Sequence, residues 1–452
     1  MSVIERIEKA GIVGVGGAGF PTYAKYKTDV EYLIINAAEC EPLLQTDCYV
    51  MKNHALEVIK AIDIVKKEVG AKHAVIATKA YYKEEVLALE EAAMELGSDV
   101  SLHLLNNFYP SGDEFIMIYE VTGRVVPPAG IPLMIGCVVS NVTTMLNIYH
   151  AITEKKPVTS KRLTVTGAVG TPTLLEVPIG TPVEKCLEEA GGTTLPNYLL
   201  INGGPMMGKL HAQDELTEQV ITKTTSGLIV VEGGDGQGYL KKLKEQTLKE
   251  IFAKVKSACI DCSLCTDLCP RQMIGHDIFP HKVMNYFRED GAENNIIDNE
   301  ILRGSLICSS CGVCEVVACP RGISPRKVND YVKVEFAKQK VRYHNEKKEF
   351  PIDSLRDFKA TSSNNILIKM GLLSYAENQL DEVKVIDVDE VFIPLHMHIG
   401  APSVPTLNIG DMVNVGDLIG VAPEGVLGAN IHASIPGRVI SISDHDIHIK
   451  RI

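Results

Sequence analysis

The sequence predicts a chain of successive modules: a layered α/β region at the N-terminus, a small β-rich unit, a largely helical region bearing two cysteine runs, and an all-β C-terminal unit. Three observations carry this. Apolar residues through Val50–Val69 and Glu84–Leu96 recur at helical spacing, separated by short strand patterns at Ala74–Ala77 and Val100–Leu105; such alternation makes a sheet with helices on its faces. Eight of the twelve cysteines lie between Cys259 and Pro320. From Lys384 onward, β-forming residues and repeated Gly-Asp pairs replace the helical pattern.

The cysteine stretch reads Cys259-Ile-Asp-Cys262-Ser-Leu-Cys265-Thr-Asp-Leu-Cys269-Pro270, and the pattern returns as Cys308-Ser-Ser-Cys311-Gly-Val-Cys314-Glu-Val-Val-Ala-Cys319-Pro320. Three thiolates at this spacing can wrap one corner of an iron–sulfur cube, while the cysteine before the proline turns away to the other cube. On that logic Cys259, Cys262, Cys265 and Cys319 hold one [4Fe–4S] cluster, and Cys308, Cys311, Cys314 and Cys269 hold a second. The second run has one extra residue before its last cysteine, which lengthens the return loop. Structural zinc prefers separated Cys-x-x-Cys pairs or Cys/His mixtures, so the triple runs favour iron and sulfur. His276 and His281 fall between the runs and are expected to be structural.

At 452 residues the chain should hold three or four domains. A hydrophobic content of 45% with 23% charged residues suits a packed core. The net charge of −12 argues against nucleic acid or an anionic membrane surface as the main partner. No run of about 18 apolar residues appears, and the N-terminus lacks a signal peptide's apolar core. A cytoplasmic, reducing and anoxic setting is expected, inside a microcompartment or peripherally on a complex. Cys40, Cys48, Cys137 and Cys186 are read as ordinary thiols in that setting.

Near the N-terminus, Gly14-Val-Gly16-Gly17-Ala-Gly19-Phe20 is a loop whose glycines let backbone N–H groups approach a phosphate. Gly14, Gly16 and Gly19 fit the dinucleotide pattern Gly-x-Gly-x-x-Gly, with Glu39 where a ribose-binding acid would stand. The fit is loose, because the preceding apolar stretch is short and Gly17 is extra.

More residues support another likeness. The loop, then Lys25, then Asn36-Ala37-Ala38-Glu39-Cys40-Glu41-Pro42, then Tyr109-Pro-Ser-Gly112-Asp113-Glu114, then Ser140-Asn141-Val142-Thr143-Thr144 resemble, in order, the flavin-binding segments of the NADH-oxidising flavoprotein subunit of respiratory complex I. The resemblance implies that Gly14, Gly16 and Gly17 line the FMN phosphate and ribityl chain, with Lys25 offsetting the phosphate charge and Asn36 reaching the ring. It implies that Glu39, Glu41, Gly112, Asp113 and Glu114 surround flavin and nucleotide, that Ser140, Asn141 and Thr144 close the phosphate end, and that Phe20, Glu39 and Glu114 meet NADH. Val15 stands where that family has arginine. Thr28 and the Pro127–Gly130 stretch carry no ring to sandwich adenine.

Residues 159–238 resemble an SLBB domain of β-grasp fold: a strand into a hairpin from Arg162, a capped helix from Thr181, and a strand and turn from Tyr198. Met206 and Met207 in that turn are expected in the core. Residues 239–345 read as an α-helical double [4Fe–4S] ferredoxin-like domain with helices over Pro280–Glu289 and Lys327–Lys338, and 346–380 as a linker with one short helix. Residues 381–452 resemble the barrel-sandwich hybrid fold of biotinyl and lipoyl domains. With no lysine between Lys384 and Lys450, a swinging-arm carrier is not expected. His396 and His398 should lie on opposite faces of a regular strand, which disfavours a shared metal.

The whole order, with an FMN/NADH-binding α/β domain over 1–158, resembles the RnfC-like flavoproteins, and the C-terminal place of the barrel sandwich resembles the cobalamin reductases among them. The resemblance implies FMN and two [4Fe–4S] clusters, with NADH as electron donor. Electrons would pass to a redox partner, a corrinoid enzyme or another anaerobic reductase, within a multi-subunit assembly. An adaptor fed by a ferredoxin or flavoprotein, or a non-catalytic scaffold, are the competing readings.

Overall fold

The structure is a computed structural model that describes residues 1–233, 239–289, 296–297 and 299–452. The boundary expected after residue 238 falls in 234–238, outside the described residues.

The N-terminal module is built on a parallel sheet, β1 (Tyr32–Ala37), β2 (His73–Lys79), β3 (Ser101–Leu105) and β4 (Cys137–Asn141), in the order β3-β2-β1-β4. Parallel neighbours require crossovers, and the helices Ala55–Glu68 and Lys83–Leu96 supply them. Each faces the sheet with its apolar side, so that Val58, Ile59, Ile62, Val65 and Leu89 pack on Leu33, Ile35 and Ile76. The helical spacing over Val50–Val69 resolves into two helices, Thr46–Asn53 and Ala55–Glu68, broken at His54, whose φ of −129° leaves the helical region.

The second module is a mixed sheet of β5 (Ser160–Gly167), β6 (Thr173–Pro178), β7 (Tyr198–Asn202), β8 (Lys209–Ala212) and β9 (Gly227–Glu232). The helix Val183–Glu189 lays Val183, Cys186 and Leu187 on Val165, Leu175 and Val230, so the Cys186 thiol is a core group. Met206 is buried as expected; Met207 is instead 58% exposed, because the turn places consecutive side chains on opposite sides.

Two features of the chain beyond this sheet tie the expected units together. The strand expected to open the C-terminal unit, β10 (Val383–Val385), pairs in parallel with β6 and extends the β-grasp sheet, covering what would otherwise be an open edge. The segment 346–380, read as a linker with one short helix, packs that helix into the interior. Its helix Ser363–Met370, capped by Ser362, buries Ile366, Leu367 and Met370 against Leu44 and Tyr109 of the first module, Leu199 and Ile229 of the second, and Val313 and Val316 of the cysteine region. The charged flanks disguised an apolar wedge.

In the cysteine region the amphipathic helices Leu248–Ala258, Pro280–Glu289 and Pro325–Lys338 converge on Val255, Phe287, Val332 and Phe336. Pro325 occupies the first helical position, where its missing N–H costs nothing. The C-terminal unit packs a sheet of β11 (Glu390–Pro394), β13 (Met412–Val413), β16 (Gly437–Ile442) and β17 (Asp446–Lys450) on one of β12 (Val404–Pro405), β14 (Leu418–Val421) and β15 (Ile431–His432). Its paired Gly-Asp turns share one device: Asp411 and Asp417 each accept the backbone N–H three residues earlier at 2.7 Å, after glycines at positive φ. β11 ends at Pro394, so His396 and His398 are not held on opposite faces; their rings meet 5.6 Å apart, while each Nε2 faces a backbone carbonyl, of Gly400 and Ala401.

Candidate flavin pocket and thiol sites

The chain leaves β1 for β2 and β3 on one side and returns as β4 on the other, so the crevice at the carboxyl ends of β1 and β4 is a topological switch point, where open α/β sheets bind ligands. Asn36 and Asn141 are register partners there. The glycine loop closes over the same end: the Gly14 N–H donates to the Phe20 carbonyl at 2.9 Å, and the Val15 N–H donates to Thr144 Oγ1 at 3.1 Å. A Cβ on Gly16 would press on Asn141 Nδ2 at 3.0 Å, whereas one on Gly17 would meet nothing within 4 Å. Gly17 thus faces open space and Gly16 faces the strand end. Gly19 answers to packing instead, with φ +73° and His398 of the C-terminal unit 3.0 Å from where a Cβ would lie.

Around this loop the expected residues hold one another. Lys25 Nζ lies 3.2 Å from the Val139 carbonyl and 3.4 Å from Glu114 Oε1, and 5.7 Å from the centre of the Phe20 ring. Ser140 Oγ pairs with the buried Tyr26 hydroxyl at 2.6 Å; burial pushes that phenol's pKa up. Asn36 Nδ2 donates to the Gly112 carbonyl at 3.0 Å, while its Oδ1 accepts from Ala38 N–H. Gly112 needs its hydrogen, since a Cβ would fall 2.7 Å from Cys40 Cβ. Asn141 and Asp113 act as N-caps of the helices Val142–Tyr149 and Glu114–Thr122. Asp113 Oδ2 also pairs with Arg271 at 2.8 Å, so its carboxylate is committed to the cap and that ion pair.

The acids after β1 turn elsewhere. Glu39 sits at φ +36°, a left-handed conformation that costs a non-glycine residue about 1–3 kcal/mol. Its Oε2 accepts the Asp47 N–H at 2.6 Å and its carbonyl accepts Lys79 Nζ at 3.0 Å. Burial, then the neighbouring Asp47, raise its pKa. Glu41 accepts the Met206 N–H at 2.8 Å, and burial pushes it up to about 7. Both border a cavity of about 690 Å³ at the ends of β1 and β2, walled also by Lys79, Tyr82, Asn107 and Tyr375. The glycine loop does not line it.

Sequence reasoning missed Asp47 and Lys161. Asp47 accepts from Asn141 Nδ2 and Thr143 Oγ1, each at 2.7 Å. Lys161, nearby in the interior, has an amine pushed down by burial to about 8 and no hydrogen-bond partner among the described residues. Neither belongs to a spacing that announces chemistry; only the fold brings them to the strand end.

The cysteines gather in two sets. Cys259, Cys262, Cys265 and Cys319 line one cavity, which His281 also borders; Cys269, Cys308, Cys311 and Cys314 line another. Left-handed residues Asp261, Ser263, Ser310 and Gly312 turn the loops inward. The Ser310 and Ile323 N–H groups point at Cys308 Sγ and Cys319 Sγ, each at 3.4 Å. Among the described residues no three of His, Cys, Asp and Glu close on the distances of a single ion. Four sulfurs spread around a void, with backbone N–H groups aimed at them, fit the polynuclear cluster that the spacing implies. His276 is buried and held by the Val126 carbonyl at 2.9 Å.

Two curated relatives match nearly the whole chain. Cobalamin reductase PduS of Salmonella typhimurium is 39% identical over 99% of this chain and 96% of its own length, and cobalamin reductase PduS of Citrobacter freundii is 38% identical over 100% and 96%. The chain belongs to the PduS cobalamin reductase family. As a PduS-family member it is an oxidoreductase that works through flavin and iron–sulfur electron transfer. Its modules match the Nuo51 FMN-binding domain over residues 7–150, the SLBB domain over 162–210, the 4Fe-4S dicluster domain over 258–324 and the RnfC barrel sandwich hybrid domain over 376–451. Among solved structures, the NAD+-reducing [NiFe]-hydrogenase in its H2-reduced state matches 76% of this chain and 62% of that chain, at 19% identity and a TM-score of 0.49.

Proposed function

We propose that this protein oxidises NADH at FMN and passes single electrons through two [4Fe–4S] clusters to a corrinoid enzyme or another anaerobic reductase. The observation that supports it is the pair of four-thiol cavities, one of which, lined by Cys269, Cys308, Cys311 and Cys314, is joined to the turn that carries Tyr109, Gly112 and Asp113. FMN, when bound, takes two electrons from a hydride donor and releases them one at a time to centres that accept one. The chain's own residues bind and orient. Gly14, Gly16, Gly17 and Lys25 would hold the phosphate end with Ser140, Asn141 and Thr144; Asn36 and Gly112 would hold the ring end. Phe20, Glu39, Glu41 and Glu114 would face the nucleotide. The eight cysteines would hold the clusters, four each, in the sets named above.

The naming of the curated relatives as cobalamin reductases supports a corrinoid-linked acceptor; a redox partner protein and a cytoplasmic place, in a larger assembly or microcompartment, belong to the same proposal. No helix among the described residues is long and apolar enough to cross a membrane. The second reading, an adaptor fed by a ferredoxin or flavoprotein, is favoured by the missing rings at Thr28 and Pro127–Gly130.

An anaerobic visible spectrum of the iron-replete protein, with iron and sulfide counts, tests the proposal. Flavin and iron–sulfur absorbance that bleach with NADH and not NADPH, at about eight irons per chain, are expected. A spectrum that ignores NADH and bleaches with dithionite supports the adaptor.

A further inference from the structure

We infer that the C-terminal unit is a clamp on the glycine loop, and that Lys223 of the β-grasp module is the positioning residue that closes it. The clamp sets the shape in which residues 14–19 offer their backbone N–H groups to a phosphate. Its consequence for FMN rests on the reading of that loop given above, and the experiment separates the two.

The loop is an arch with a neck and a tip. Val13 and Pro21 form an antiparallel bridge at the neck, and the Thr22 N–H donates to the Ile12 carbonyl at 3.1 Å. Gly16, Gly17 and Ala18 at the tip are exposed, while Gly11 and Gly19 at the two ends are buried. The other end of the chain buries them. The Ile399 N–H donates to the Gly19 carbonyl at 3.2 Å, and a Cβ on Gly19 would stand 3.0 Å from the Met397 carbonyl oxygen. A Cβ on Gly11 would fall 2.2 Å from the Asn430 carbonyl oxygen, closer than any side chain tolerates. Both glycines also sit at positive φ, +66° and +73°, so backbone meets backbone at each end of the arch.

Lys223 completes the seat. Its buried amine donates to the Gly11 carbonyl at 2.7 Å and to the Asn430 carbonyl at 2.6 Å, so one side chain bridges the loop and the unit laid against it. The next residue, Thr224, holds its Cγ2 3.0 Å from where a Gly19 Cβ would lie. The clamp has its own anchorage on the β-grasp module: the Phe392 N–H donates to the Gly180 carbonyl at 2.9 Å, and Ser434 Oγ to the Ile179 carbonyl at 2.6 Å. Within its own module the arch is tied by the Val15 N–H bond to Thr144 Oγ1. Glycines carry no side chains with which to brace themselves, so such an arch keeps one shape when its ends are fixed from outside. A barrel-sandwich unit with no carrier lysine between Lys384 and Lys450 thereby acquires a role at the flavin module.

Hydrogen–deuterium exchange, read by mass spectrometry on the full-length, iron-replete chain freed of flavin, tests the clamp; titration with FMN tests its consequence. In Lys223→Met, exchange over residues 11–20 should rise about tenfold and FMN should bind about tenfold more weakly, the scale set by losing one buried hydrogen bond. Leu175→Ala opens a cavity in the core of the same β-grasp module, away from loop and clamp, and lowers stability too. It should leave both readouts at wild-type values, which separates positioning from general loosening. Should Lys223→Met not fold, native-state exchange of the wild type in sub-denaturing urea gives the answer: residues 11–20 and 395–432 should open together, with one urea dependence. Wild-type exchange over 11–20 in Lys223→Met, an equal rise in Leu175→Ala, or a loop that opens while the C-terminal unit stays closed overturns the clamp. Raised exchange with unchanged FMN affinity upholds the clamp and removes the phosphate from the loop.

Discussion

Glu41 Oε2 accepts the Met206 backbone N–H at 2.8 Å, so an acid that leaves the N-terminal module's first strand is closed in against a turn of the β-grasp sheet. Tyr109 Oη lies 3.4 Å from the other oxygen of the same carboxylate. The acid therefore fastens two modules.

Its protonation should be visible in stability. Burial raises Glu41 from an ordinary 4.5 to about 7, so between those values the folded chain binds a proton that the unfolded chain has released. Stability from this group is present below about pH 4.5 and declines as pH rises toward 7. The side chain is only partly shielded, which brings the effect to about 1–2 kcal/mol. Urea midpoints at pH 5.5 and pH 8 should differ more in the wild type than in Glu41→Gln, which keeps an acceptor for Met206 and cannot titrate; equal differences would remove the carboxylate from the account.

Lys223 makes a comparable join between other modules. Its buried amine, pushed down to about 7, donates to the Gly11 carbonyl at 2.7 Å and the Asn430 carbonyl at 2.6 Å. One side chain of the β-grasp module thus joins the root of the glycine loop to the C-terminal unit. Lys223→Met keeps the bulk and abandons two buried acceptors, at a cost of about 2–4 kcal/mol. Chemical denaturation should show that loss, and limited proteolysis should cut first in the released C-terminal unit; an unchanged midpoint would mean that water serves those carbonyls.

The modules were readable because each rests on a local signal: helical spacing over Glu84–Leu96, the Cys-x-x-Cys-x-x-Cys runs, and alternation from Glu390. What escaped depended on tertiary placement. The charged flanks of 346–380 hid Ile366, Leu367 and Met370, whose burial is set by three other modules. Val383–Val385 reads as a strand in any context, and only the bare edge of β6 decides which sheet takes it. At the site, the glycine loop and Asn36 announced themselves by sequence pattern, whereas Asp47 and Lys161 are polar residues whose meeting has no sequence period.

Gly17 separates a structural from a ligand role. Nothing lies within 4 Å of where its Cβ would stand, and its φ is not in the region that requires glycine. Gly17→Ala should leave the melting temperature of the flavin-free protein unchanged. If the loop lies along the FMN phosphate, the added methyl stands where the phosphate must approach backbone N–H groups, and FMN binding should weaken by about tenfold or more. Fluorescence-quenching titration with FMN measures this, and an unchanged affinity would take the phosphate away from Gly17.

Arg326 and Glu315 offer a test at the join of the cysteine region. Arg326 Nη2 lies 2.8 Å from Glu315 Oε1, whose side chain is 1% exposed, and Nη1 donates to the Met206 carbonyl at 3.0 Å. A buried carboxylate stripped of its ion-pair partner is costly, so Arg326→Met should destabilise the protein by about 3–5 kcal/mol. Removing both charges is a different change, since the desolvation of each ion no longer has to be offset. The double variant Glu315→Leu/Arg326→Met should recover most of that loss, short by about 1 kcal/mol for the bond to Met206. Denaturation of the two single variants and the double closes the cycle; a double variant as unstable as the sum of the singles would show that the pair does not act as a unit.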